Sequence, residues 1–73
     1  MTGENDAVQH LISVEKRMTA GTPAHLAALE ALGEAGGAAA RTHLISVEKR
    51  MTAGTPAHMA AVKALGRATR RYA

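Results

Sequence analysis

Sixteen consecutive residues, HLISVEKRMTAGTPAH, stand at His10–His25 and again, unchanged, at His43–His58. The likeness continues beyond them, with LAALEALG at Leu26–Gly33 answered by MAAVKALG at Met59–Gly66. Two copies of a 24-residue unit, offset by 33 residues, therefore fill most of the 73-residue chain. A unit of this size cannot bury an apolar face by itself, so neighbouring units must cover one another. That narrows the fold to an arrangement of two small like units and points to a tandem duplication, natural or engineered.

Each copy reads as two helices. Ala7, Leu11, Val14 and Met18 recur at steps of four, three and four, the spacing of one helix face, and Val8 and Ile12 widen the stripe. Glu4 and Asp6 lie where negative charge favours a helix start, so the first helix is expected over Asn5–Thr19. In the T-A-G-T-P segment that follows, Gly21 suits the left-handed residue that ends a helix. Thr22 then suits the N-cap and Pro23 the first turn of a second helix. A stop set against a start predicts a fold-back, with helix two over Pro23–Leu32, its Leu26, Leu29 and Leu32 inward and Gly33 as its cap.

The second copy repeats this grammar. Ala40, Leu44, Val47 and Met51 form its stripe, with Ile45 beside it, and Gly54, Thr55 and Pro56 make the turn. The fourth helix is expected from Pro56 to near Tyr72. Between the copies, residues 34–42 read as an Ala/Gly linker, because Gly36 and Gly37 would each cost about 1 kcal/mol inside a helix. The alternative is one bent helix from Pro23 to Met51. The expected architecture is all-α: one domain over residues 1–73, made of two tandem helix-turn-helix hairpins (10–33 and 43–66). These form an antiparallel four-helix arrangement, within one chain or across a dimer.

Of 34 hydrophobic residues, 17 are alanine and Tyr72 is the only aromatic, so the core available to one chain is small. With no cysteine, neither a disulfide framework nor a thiolate metal site can supplement it. Association between chains is the expected remedy, and Leu11, Val14, Met18, Leu44, Val47 and Met51 are the candidate self-association core. No apolar run approaches the ~20 residues that span a bilayer, and MTGENDAV is too polar for a signal peptide, so no membrane partner and a cytoplasmic location are expected.

Charge divides the chain. Residues 1–40 carry five acidic and two basic side chains, a balance of −3; residues 41–73 carry seven basic side chains against Glu48 alone, a balance of +6. Such a molecule can bind itself head to tail, or bind an acidic partner through one end. The two copies also differ in sign at matched positions, Glu30 against Lys63 and Glu34 against Arg67. If helices two and four pack together, the acidic pair faces the basic pair. Lys63, Arg67, Arg70 and Arg71 share one helix face, a stripe that could contact nucleic acid or another acidic partner. No aromatic platform interleaves it.

Glu15 is brought near His25 by the fold-back at Ala20 and Gly21, and Glu48 and His58 repeat the relation. The simplest reading is a Glu–His hydrogen bond beside each turn. These four residues are also the candidates for a divalent metal, although the tandem Glu-x-x-His pattern of di-iron bundles is missing, and no cofactor is expected. His10 and His43 are expected at exposed or interfacial positions. Ser13 and Ser46 each follow a histidine by three residues, but no glycine-rich elbow surrounds either, and AGTP lacks the lysine of a phosphate loop. No catalysis is expected. TPAHLAA and TPAHMAA resemble the helix-start signature of ankyrin repeats, whose period is also 33. The order of segments differs, since Gly21 abuts Thr22 and Leu29–Thr42 separates the parts that ankyrins join, so the resemblance is one of helix-start chemistry.

The expected function is that of a non-enzymatic, self-associating helical module, a homodimer acting through helix–helix contact. A small basic nucleic-acid-binding regulator using the C-terminal helix is the alternative.

Overall fold

The two T-A-G-T-P segments stop and start helices as their residues require. Gly21 and Gly54 take φ of 87° and 88°, a region that L side chains rarely enter. Thr22 lies extended at φ −73° and ψ 159° as the N-cap, its hydroxyl accepting the His25 amide at 3.3 Å. Thr55 does the same for His58 at 3.2 Å. The same sequence thus builds the same turn twice.

A computed structural model describes the backbone of residues 3–70 and the side chains of residues 6–69. Four helices make it up: α1 (Gly3–Arg17), α2 (Pro23–Ala35), α3 (Gly37–Arg50) and α4 (Pro56–Arg70). No strand occurs among the described residues. Successive helices pack on one another, and α1 also packs on α3 and α2 on α4, whereas α1 and α4 do not meet among the described residues. The second copy, α3 and α4, is therefore laid against the first, α1 and α2.

The core sits at this junction. Leu29 and Leu32 of α2 meet Ala40, Leu44 and Val47 of α3, and all five have no accessible surface. Ala61, Ala64 and Ala68 of α4 close the cluster, and α1 adds Val8. Alanine is useful here because it lets helix axes approach. At Gly33 the approach is closest: a β-carbon there would lie 2.9 Å from the Ala64 Cα and carbonyl oxygen.

Three expectations need correction. Gly33 does not cap α2. It lies buried within the helix, and Gly36 is the cap, at φ 68°, its amide donating to the Leu32 carbonyl at 3.0 Å. Residues 34–42 do not form a linker, because α2 continues to Ala35 and α3 begins at Gly37, leaving Gly36 alone between them. The same break excludes a continuous helix from Pro23 to Met51. Finally, α1 spans Gly3–Arg17, two residues earlier at each end than Asn5–Thr19. The expected end of the fourth helix, near Tyr72, lies outside the described residues.

Candidate functional site

α1 and α3 contain the same segment but turn different faces inward. From α1, Val8 and Glu15 are buried, Leu11 and Ile12 are half-buried against the core, Val14 and Met18 are half-buried and Ala7 is exposed, so the Val8–Ile12 edge that widens the anticipated stripe is the side turned inward. From α3, the anticipated stripe is the buried one: Ala40, Leu44 and Val47 are fully covered and Met51 is half-buried. Of the residues anticipated as a self-association core, Leu44 and Val47 thus lie within the chain's own core, where no second chain can touch them.

The consequence falls on Glu15, which is 2% exposed. The turn holds His25 in place, because its Nδ1 accepts the Gly21 amide at 3.2 Å. The proton is thereby assigned to Nε2, which donates to Glu15 Oε2 at 2.7 Å. The other carboxylate oxygen, Oε1, accepts from His43 Nε2 at 2.6 Å, a bond that ties α3 to α1. Arg50, one helix face along from His43, brings its guanidinium to 3.6 Å of the same oxygen. Burial raises the pKa of the Glu15 carboxyl, but the two imidazole hydrogen bonds and the charges of His43 and Arg50 outweigh it, and the net shift is downward. Glu15 is therefore an anion held between the two copies and satisfied on both oxygens.

The second copy builds half of this arrangement. His58 Nδ1 accepts the Gly54 amide at 3.4 Å and its Nε2 donates to Glu48 Oε2 at 3.0 Å. Among the described residues Glu48 has no counterpart of His43, and its side chain is 37% exposed. The Glu15–His25 and Glu48–His58 contacts anticipated from the turns are both present, whereas the third partner, His43, was anticipated only at an exposed or interfacial position. The signal that could have found it is the i, i+7 pairing of His43 with Arg50 on one face of α3, opposite Glu15.

The same contrast runs over the whole outer face of the second copy. Val62 is 47% exposed where its mate Leu29 is fully buried. Met59 and Ile45 are 50% and 42% exposed, whereas Leu26 and Ile12 are half-buried. Gly66 has nothing within 4 Å of a built β-carbon, whereas Gly33 is pressed against Ala64.

Where α2 meets α4, the matched charges meet as well. Arg67 Nη1 donates to Glu34 Oε2 at 2.9 Å, and Glu30 and Lys63 line the same groove. Of the basic stripe, Lys63 and Arg67 are exposed, while the Arg70 side chain and Arg71 lie outside the described residues.

For metal chemistry the four candidates divide into two separate Glu–His pairs. Among the described residues no group of three or more such side chains is arranged to hold an ion. The imidazole Nε2 atoms are hydrogen-bonded directly to the carboxylate oxygens, at 2.7 Å for Glu15–His25 and 3.0 Å for Glu48–His58. No helix among the described residues is long and apolar enough to cross a membrane. Compared with protein-family models, curated proteins and solved structures, the chain matches none.

Proposed function

We propose that this chain is a non-enzymatic helical module, born of a tandem duplication, whose activity is association with further copies of itself. One observation carries the reading: the face of the first copy that the second copy covers is present again on the second copy, uncovered. Ile45 and Val62, the counterparts of Ile12 and Leu29, place two large apolar side chains on it. Apolar groups gathered on one exposed face mark a contact surface more often than solvent-facing side chains scattered singly do. The arrangement in pairs, two helices to each copy, favours growth by adding like units.

The test is the mass of the pure protein in solution. Sedimentation equilibrium should show weight-average mass rising with concentration, and the melting temperature should rise with it by mass action. A single monomeric species up to millimolar protein, with a melting temperature unchanged by dilution, would refute the proposal. Salt-dependent retention of that monomer on DNA or RNA would then assign α4 to nucleic acid instead.

A further inference from the structure

Resting on that reading, we infer that copies associate head to tail: His10 and Arg17 of one chain dock on Glu48 of the Glu48–His58 pair of the next, as His43 and Arg50 dock on Glu15 of the Glu15–His25 pair within a chain. The pattern for the contact is already present inside the molecule. Its receiving side is Ile12, Glu15, His25, Leu29 and Gly33; its docking side is Ala40, His43, Leu44, Val47, Arg50 and Ala64.

Each side has a second set. The receiving residues reappear as Ile45, Glu48, His58, Val62 and Gly66, all but the leucine unchanged in type. The docking residues reappear as Ala7, His10, Leu11, Val14, Arg17 and Ala31, without one change. In both second sets the residues are more open to solvent than their mates, apart from Arg17, which is exposed as Arg50 is. Ala7, His10 and Arg17 are exposed, and Leu11, Val14 and Ala31 are half-buried. One chain thus has one receiving side filled and one open, and one docking side used and one uncovered.

Two further features fit this contact. The first is charge. Within the chain Glu34 of the first copy meets Arg67 of the second, which is the same position meeting itself one unit later. Such a contact repels unless successive units alternate in sign. In the head-to-tail pair Arg67 of one chain faces Glu34 of the next, and Lys63 faces Glu30, so the alternation continues across the boundary. The second is Gly66. A glycine inside a helix costs about 1 kcal/mol relative to alanine, and nothing in the single chain presses on it. In the stacked pair it receives Ala31 of the next chain, as Gly33 receives Ala64. Because the two surfaces differ, the contact is heterologous, and each added copy presents a fresh receiving side.

The experiment uses two full-length variants, each altered at an exposed residue. His10→Glu sets a carboxylate opposite Glu48 and disables the docking side. Val62→Arg disables the receiving side. Circular dichroism confirms that each retains the parent helix content. Sedimentation velocity should then show the parent growing beyond a dimer with concentration. Each variant alone should be monomeric, with association weakened at least tenfold. An equimolar mixture should form a one-to-one dimer that does not grow, because only one intact docking side meets one intact receiving side. Gly66→Leu, whose β-carbon has no atom within 4 Å in the single chain, should behave as Val62→Arg does and should be rescued by the same partner. Variants that associate as the parent does would overturn the head-to-tail contact while leaving self-association standing. So would a parent that stops at a dimer, or a mixture that fails to associate. A parent monomeric at all concentrations would overturn both.

Discussion

Two stretches of identical sequence, His10–His25 and His43–His58, occupy different environments in one molecule. In the first, Glu15 is buried and bound by two histidines; in the second, Glu48 is over a third exposed and bound by one. α1 buries Val8 and Glu15 with Ile12 half-buried between them, while α3 buries the row of Ala40, Leu44 and Val47. The local structure is shared: helix, left-handed glycine, threonine cap, proline, helix. The difference comes from what lies on either side. The first copy has a neighbour after it and the second a neighbour before it, so each is covered on the opposite face. A segment's sequence sets its helices, and its place in the stack sets which face is dry.

Matched substitutions in the two copies measure that difference, at protein concentrations too low for association. The largest gap is expected between Leu29→Ala and Val62→Ala. The first opens a cavity in the core and should cost about 2–5 kcal/mol, whereas the second removes exposed methyl groups and should stay within about 0.5 kcal/mol. Urea melts of both variants would test this, and equal losses would show that Val62 is covered in solution.

Glu15→Gln against Glu48→Gln comes next. Removing the buried anion weakens two hydrogen bonds to a charged acceptor, at about 1.5–3 kcal/mol, while the more exposed pair should lose under about 1 kcal/mol. pH sharpens the contrast. Glu15 faces His25 from α2 and His43 and Arg50 from α3, and its folded pKa is lowered from 4.5. A lowered folded pKa means that the unfolded chain takes up the proton first. The stabilisation is therefore complete above the unfolded value and declines as pH falls from there through the folded pKa. Melts between neutral pH and pH ~3 should show this acid limb in the parent and in Glu48→Gln, but a shallower one in Glu15→Gln. An identical limb in all three would remove Glu15 as its source.

The glycines should differ in sign. Gly33→Ala forces α2 and α4 apart and should cost about 1–3 kcal/mol, whereas Gly66→Ala meets open space and should stabilise by up to about 1 kcal/mol. The smallest effect belongs to Glu34→Gln, which removes an exposed ion pair and should cost about 0–1 kcal/mol, vanishing in high salt. A larger loss would mean that the pair is shielded from solvent.

Much of this molecule was legible in its residues. The turns were, because a left-handed glycine, a capping threonine and a proline act within a few residues of the chain. The Glu15–His25 and Glu48–His58 contacts followed from those turns, since the fold-back sets their distance. The sign reversal at Glu30 and Glu34 pointed to the α2–α4 pairing, and Arg67 does bind Glu34.

What stayed hidden depends on long-range packing. Gly33 looks like a helix stop, because glycine ends helices, yet here it serves a close helix crossing; only the position of Ala64 tells the two roles apart. The α1 stripe and its neighbouring row are both apolar enough to face inward, and the choice falls to whichever neighbour arrives. His10 and His43 are followed by the same fifteen residues, and nothing in those residues decides that one binds a buried carboxylate and the other faces solvent. By itself the sequence determined four helices, two turns and two Glu–His pairs, all of which depend on short-range geometry. The tertiary structure alone decided which copy is covered and on which face, because burial belongs to the stack as a whole.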